Sequence, residues 1–348
     1  MNLRILFVLL FLAPLPALLL PGCQDSGSVS GPPVEPDPPV PCTFGIPVCR
    51  ERVVVEGGFL LPVYRTHPLE PGDTLIRRAV FVVHGTNRNA DDYFETMVGA
   101  VREVGGLGET LVIAPRFQTL DDWPATGEPA WTSGGWKRGD PTVVDSPEGV
   151  RISSYAALDG VLAVLADRTR FPNLTKIVIT GHSAGGQYTH RFAAGSPAEG
   201  RHGHLAFRYV VANPSTYLYL GPQRSLAGGG FGLPDREACP TYNTWHYGLE
   251  ELNPYMARLS VEEIRRRLGG RDVVYLVGTE DTGTHLLDMS CGAMLQGSNR
   301  FARGLTLFAF MNEHFPAHGH RLHEVAGVGH SSGGIYTSAT GMGVLFSW

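Results

Sequence analysis

The chain has 348 residues, 18% of them charged and 43% apolar, with a formal net charge of −5 at pH 7. That balance excludes a disordered polyelectrolyte and a basic nucleic-acid binder and leaves a packed globular body. Gly (44 residues) and Pro (26) make up about a fifth of the chain, against a usual ~12%, which excludes a bundle of long helices.

Residues 1–20, MNLRILFVLLFLAPLPALLL, place one basic residue, Arg4, ahead of an apolar run broken by Pro14 and Pro16. The run is too short and too interrupted for a membrane span and reads as an export signal over residues 1–22. Leu20-Pro21-Gly22-Cys23 resembles the lipobox of bacterial lipoproteins, with Pro21 departing from the usual small or aliphatic residue. The resemblance implies that Cys23 is acylated, becomes the new N-terminus and anchors the protein in the cell envelope; secretion after cleavage nearby is the alternative. Residues 23–50 then form a tether, Ser/Gly-rich and next Pro-rich (GPPVEPDPPVP), a composition that stays extended and builds no core. Five cysteines are an odd number. With Cys23 assigned to the lipid, Cys42, Cys49, Cys239 and Cys291 remain as disulfide candidates of an oxidising compartment. Three pairings are open, one of which joins Cys42 to Cys49 and Cys239 to Cys291. No Cys-x-x-Cys pair supports a zinc site.

From residue 51 to 348 β-rich apolar runs alternate with helical patterns, which predicts one α/β domain around a mostly parallel sheet. The opening run 52–65 reads as a hairpin. Strands are expected at 79–85, 110–115, 176–183, 207–215, 272–278 and 322–327. Helices are expected over 89–104, where Asn-Ala-Asp-Asp offers capping groups, and over 153–168, where Ser-Ser precedes a period near 3.6. Two stretches break the alternation, 118–150 and about 217–260, both rich in Gly and aromatic residues. Loops this long carry function more often than not, and at the carboxyl edge of the sheet they flank the usual α/β site. The second reads as a lid-like insertion.

The strongest chemical signal is Gly181-His182-Ser183-Ala184-Gly185, between the strand KIVIT and the helical GQYTHRFAA. A strand, a sharp turn and a helix around Gly-x-Ser-x-Gly push the serine into an exposed position, where a base and a substrate reach it. The following helix aims its N-terminal dipole and the Ala184 amide at the place where an oxyanion forms.

In these features the chain resembles the α/β-hydrolases from about Val53 to its C-terminus. The resemblance implies an α/β-hydrolase fold, with helices on both faces of the sheet and insertions at its carboxyl edge. It also implies a triad in the order nucleophile, acid, histidine. The strand DVVYLVG ends in Gly278-Thr279-Glu280-Asp281, which nominates Asp281 as the acid with Glu280 and Asp288 as rivals. LHEVAG runs into Val328-Gly329-His330-Ser331, which nominates His330 as the base. His84-Gly85-Thr86 is similar to the family's oxyanion segment and implies that the amides of Thr86 and Ala184 form the hole. Asn87, Arg88 and Asn89 cap the next helix or contact substrate.

The expected reaction is hydrolysis of a small or polymeric carboxylic ester through an acyl-enzyme on Ser183, without metal or organic cofactor and without a nucleic-acid partner, by a monomer. A peptidase, amidase or acyltransferase on the same scaffold is the alternative, and a non-catalytic binding relative a weaker one. Trp131, Trp136, Tyr217 and Trp245 are candidate substrate contacts, or they pack the loops down. His314 and His318 have the i, i+4 spacing of a metal pair, but no third ligand is evident beside them.

Overall fold

The structure, a computed structural model, describes residues 40–348; the expected signal segment and Cys23 lie outside the described residues. The alternation read from the sequence forms one eight-stranded sheet. A hairpin of β1 (Arg50–Val54) and β2 (Leu60–Arg65) edges it, followed in the chain by β3 (Arg78–Val83), β4 (Thr110–Pro115), β5 (Lys176–His182) and β6 (Ala206–Ala212). A two-stranded ribbon of β7 (Arg224–Ser225) and β8 (Phe231–Gly232) stands apart from the sheet, which β9 (Val273–Gly278) and β10 (Arg321–Val325) complete. The spatial order is β1-β2-β4-β3-β5-β6-β9-β10, antiparallel as far as the β2–β4 pair and parallel from β4 to β10. β5, which leads into Ser183, is therefore interior and flanked by β3 and β6.

The helices are α1 (Ala90–Glu103), α2 (Ser154–Leu165), α3 (Ala184–Gly195), α4 (Ala198–Arg201), α5 (Val261–Gly270), α6 (Cys291–Met294), α7 (Arg300–His314), α8 (Ser332–Tyr336) and α9 (Ala339–Phe346). Successive strand residues point to opposite faces, so near-continuous apolar strands need cover on both. Ala79, Phe81, Val83, Ile177 and Ile179 pack with α2, α3, α5 and α7 on one side. Val80, Val82, Val178, Val210 and Val274 pack with α1, α8 and α9 on the other. Each Val, Ile or Phe among them, fully buried, contributes about 1.5–3 kcal/mol. Ser153 caps α2 as its position suggested, its hydroxyl accepting from the Tyr155 amide. Asn89 does not cap α1 in that way; its amide donates to the Asp92 carboxylate instead.

Cys42 with Cys49 and Cys239 with Cys291 sit at disulfide distance, with Cα–Cα separations of 5.5 and 5.7 Å. The second pair ties the irregular segment between β6 and α5 to the start of α6, on the approach to α7.

Candidate active site

Ser183 occupies the turn between β5 and α3 with φ 60° and ψ −117°, a conformation that costs a non-glycine residue about 1–3 kcal/mol. The flanking glycines are what make the turn possible. A Cβ on Gly181 would lie 2.3 Å from the Gly185 backbone, and one on Gly185 would lie 2.1 Å from the Val83 carbonyl oxygen. The Ser183 amide donates to the Ala212 carbonyl at 3.0 Å, which ties the turn to β6.

The structure brings together the three side chains nominated from the sequence. His330 Nε2 lies 3.0 Å from Ser183 Oγ, and its Nδ1 lies 2.7 Å from Asp281 Oδ2. Asp281, 2% exposed, stands in the turn after β9, and His330 in the loop after β10. Asn213 at the end of β6 locks these two turns together: its Oδ1 accepts from the Gly278 amide at 2.8 Å and its Nδ2 donates to the Gly329 carbonyl at 3.3 Å. Of the rival acids, Asp288 is engaged elsewhere, accepting from Tyr247 Oη at 2.6 Å. The ring of His182 lies 4.5 Å from that of His330. Burial, then the neighbouring His330 and Arg300, drives the His182 pKa well down, so His182 is a neutral platform under the His330 ring.

Thr86 and Ala184 border Ser183 from β3 and α3, and neither amide donates to a protein acceptor among the described residues. The Thr86 segment is braced from behind. His84 Nε2 accepts from the Phe117 amide at 3.0 Å, which leaves the proton on Nδ1 to donate to the Gly85 carbonyl at 2.9 Å. Burial pushes His84 down to about 4, which keeps it in this neutral tautomer. Arg88 donates to the Thr86 carbonyl at 3.1 Å and pairs with Asp122.

Two hollows meet at Ser183. One, of about 330 Å³, is lined by His330, Asn87, Tyr93 and Ser332 among others. The other, of about 450 Å³, is lined by Lys137, Arg138, Ala184, Gln187 and Asp288 among others. Thr86 and Leu286 border both.

The candidate aromatic contacts need correction. Trp131 and Trp136 are buried in a cluster with Phe117, Tyr188 and His84, and Tyr217 is buried against His190 and Tyr275. Trp245 is partly buried and donates to the Arg138 carbonyl. None of the four lines either hollow; their large apolar faces hold the long loops onto the body. Among the described residues no group of three or more His, Cys, Asp or Glu side chains is arranged to hold a metal ion. Sequence reading missed Lys137, Arg138, Leu286 and Arg300. Lys137-Arg138 carried a faint signal, since the pair directly follows Trp136 in a loop already marked as functional.

No protein-family model and no curated protein matches the sequence. Among solved structures, the poly(aspartic acid) hydrolase-1 of Sphingomonas sp. KT-1 is similar at 25% identity and TM-score 0.57, over 82% of this chain and 94% of that one. The poly(3-hydroxybutyrate) depolymerase of Bordetella parapertussis is similar at 21% identity and TM-score 0.58, over 86% and 89%. The parallel sheet, the strand-turn-helix around Ser183 and these likenesses together show that the chain has the α/β-hydrolase fold.

Proposed function

We propose that this hydrolase is an exported serine esterase working through an acyl-enzyme, with Ser183 as nucleophile, His330 as base and then acid, and Asp281 orienting His330. The observation that carries the reading is the continuous contact chain from Ser183 Oγ through His330 to buried Asp281, beside two unengaged amides. Ser183 Oγ attacks the carbonyl carbon while its proton passes to His330 Nε2. The oxyanion is stabilised by the Thr86 and Ala184 amides; losing one such donor typically costs about 10²–10³ in rate. The intermediate collapses, the carbon–oxygen bond breaks, and the alcohol leaves with the proton from His330. Water, deprotonated by His330, then attacks the acyl-enzyme and releases the acid, and Ser183 regains its proton.

Amide cleavage by the same steps is the second reading, and the similarity to a protein named as a poly(aspartic acid) hydrolase favours it. Ester cleavage comes first because an alkoxide leaves more readily than an amide nitrogen and asks less of His330. The signal-like residues 1–22, lipidation of Cys23 and a tether complete the reading; the tether is shorter than the expected 23–50, since the Cys42 amide donates to the Thr66 carbonyl and Cys49 is buried in the core. The two cysteine pairs, Cys42 with Cys49 just ahead of the domain 51–348 and Cys239 with Cys291 within it, support an oxidising location.

The test is Ser183→Ala. Hydrolysis of 4-nitrophenyl hexanoate and labelling by a fluorophosphonate are both expected to vanish in a protein that still unfolds cooperatively. An active or labelled variant rejects the assignment.

A further inference from the structure

We infer that the second hollow at Ser183, the one His330 does not line, is an acyl subsite for a substrate that carries a carboxylate, held by Lys137 and Arg138. This rests on the acyl-enzyme reading above, which also gives the two hollows their roles. His330 must hand its proton to the leaving group, so the leaving group lies in the hollow that His330 lines. The acyl part takes the other, which His330 does not border.

Two cations line that second hollow with no protein acceptor. Among the described residues neither the Lys137 ammonium nor the Arg138 guanidinium hydrogen-bonds to a protein group or comes within ion-pair distance of an acid, and Arg138 Nε is buried without a partner. Arg78, Arg224 and Arg300 also leave Nε without a partner, but each donates from a terminal nitrogen to a backbone carbonyl, which Arg138 does not. Arg191 donates to Gln187, Thr216 and the His246 carbonyl, and Arg303 to the carbonyls of Gly297, Ser215 and Asp288. A donor shut off from water without a partner forfeits its hydrogen bond, so leaving Arg138 Nε in that state beside a nucleophile, with the Lys137 ammonium unpaired next to it, points to a ligand that completes them.

The one acid in the hollow does not play this part. The Asp288 carboxylate accepts from Tyr247 Oη at 2.6 Å and from the Ser290 amide at 3.0 Å. Arg191, one layer beneath and bonded to Gln187 Oε1, adds a third positive charge. The surroundings register on Lys137 itself: burial first, then Arg138 and Arg191, pushes its pKa down to about 8, and the smaller upward pull of Asp288 does not offset them. An incoming carboxylate relieves that penalty and takes the paired N–H groups of a guanidinium in the geometry that suits both.

The test compares two substrates with the same six-carbon acyl chain, mono-4-nitrophenyl adipate and 4-nitrophenyl hexanoate, on the full chain. The adipate is expected to be preferred in kcat/KM by about tenfold or more, the size of one charge-assisted hydrogen bond. Lys137→Gln and Arg138→Gln are each expected to lower the adipate-to-hexanoate ratio by about tenfold, and Lys137→Arg to retain most of it. Fluorophosphonate labelling reports whether each variant has kept its fold. A wild-type ratio near one overturns the proposal without any variant, and so does a ratio that survives the double substitution. If Ser183→Ala stays active, the acyl-enzyme reading falls; if it is inactive while the ratio is near one, the subsite alone falls.

Discussion

The Arg300 guanidinium lies 3.6 Å from Asp281 Oδ1, the carboxylate oxygen that His330 leaves free. Both side chains are almost wholly buried, and Arg300 reaches there from the first residue of α7 while donating to the His285 carbonyl at 2.9 Å. Asp281 is thus held from two sides, and the ion pair fixes which oxygen faces His330.

Arg300 is therefore a positioning residue, and Arg300→Met is expected to act on both stability and rate. Removing one partner of a buried pair typically costs about 3–5 kcal/mol. Misaligning His330 by a fraction of an ångström is expected to lower kcat about tenfold or more with little change in KM. Arg300→Lys should recover part of both. A urea titration beside steady-state kinetics on 4-nitrophenyl hexanoate checks this, and a Met variant with wild-type midpoint and kcat would sink it.

Arg300 also shows where sequence reading stops. Strand positions were legible because buried parallel strands are short continuous apolar runs, as in Thr110–Pro115, where expected and observed limits coincide. Ser183, Asp281 and His330 were legible because each sits at the end of such a run in a turn that needs glycine. Arg300 has neither mark: it opens a helix 19 residues after Asp281 in sequence, and only folding brings the two together. The tryptophans failed for a related reason. An aromatic residue in an irregular loop has no periodicity to tell which face it shows, so Trp131 and Trp136 read equally well as substrate platforms and as the anchors they are.

The nucleophile turn yields a contrast between two glycines. Gly185→Ala places a Cβ 2.1 Å from the Val83 carbonyl oxygen and 2.7 Å from that of His84, so α3 must move off β3. The expected loss is about 3 kcal/mol, the upper part of the range for overpacked sites, with loss of fluorophosphonate labelling. Gly99 lies within α1, and an added Cβ there would meet nothing within 4 Å. Gly99→Ala is expected to stabilise the protein by about 0.5–1 kcal/mol through helix propensity alone. Chemical denaturation separates the two, and equal effects would show that the close approach of α3 to β3 is misread.

Buried neutral histidines set the expected response to acid. His190 Nδ1 accepts from the Leu218 amide, so its Nε2 donates to Tyr275 Oη; Tyr275 donates to His320 Nδ1, and His320 Nε2 donates to the Leu268 carbonyl. Every proton in this relay is placed, and an added one on His320 removes the acceptor of Tyr275. Burial pushes His320, like His84, down to about 4. A histidine in the unfolded chain titrates near 6.5. Above that pH both states are neutral and the contribution to stability is complete; as pH falls from 6.5 towards 4 only the unfolded chain takes up the proton, and stability is lost. Each of the two residues then removes about 3 kcal/mol by pH 4, a large share of the ~5–15 kcal/mol of a whole domain. The urea midpoint is expected to be nearly level from pH 8 to 6.5 and to drop steeply below 6, with a shallower drop in His320→Gln. A midpoint unchanged between pH 7 and 5 would mean that these imidazoles accept protons in the folded state as readily as in water.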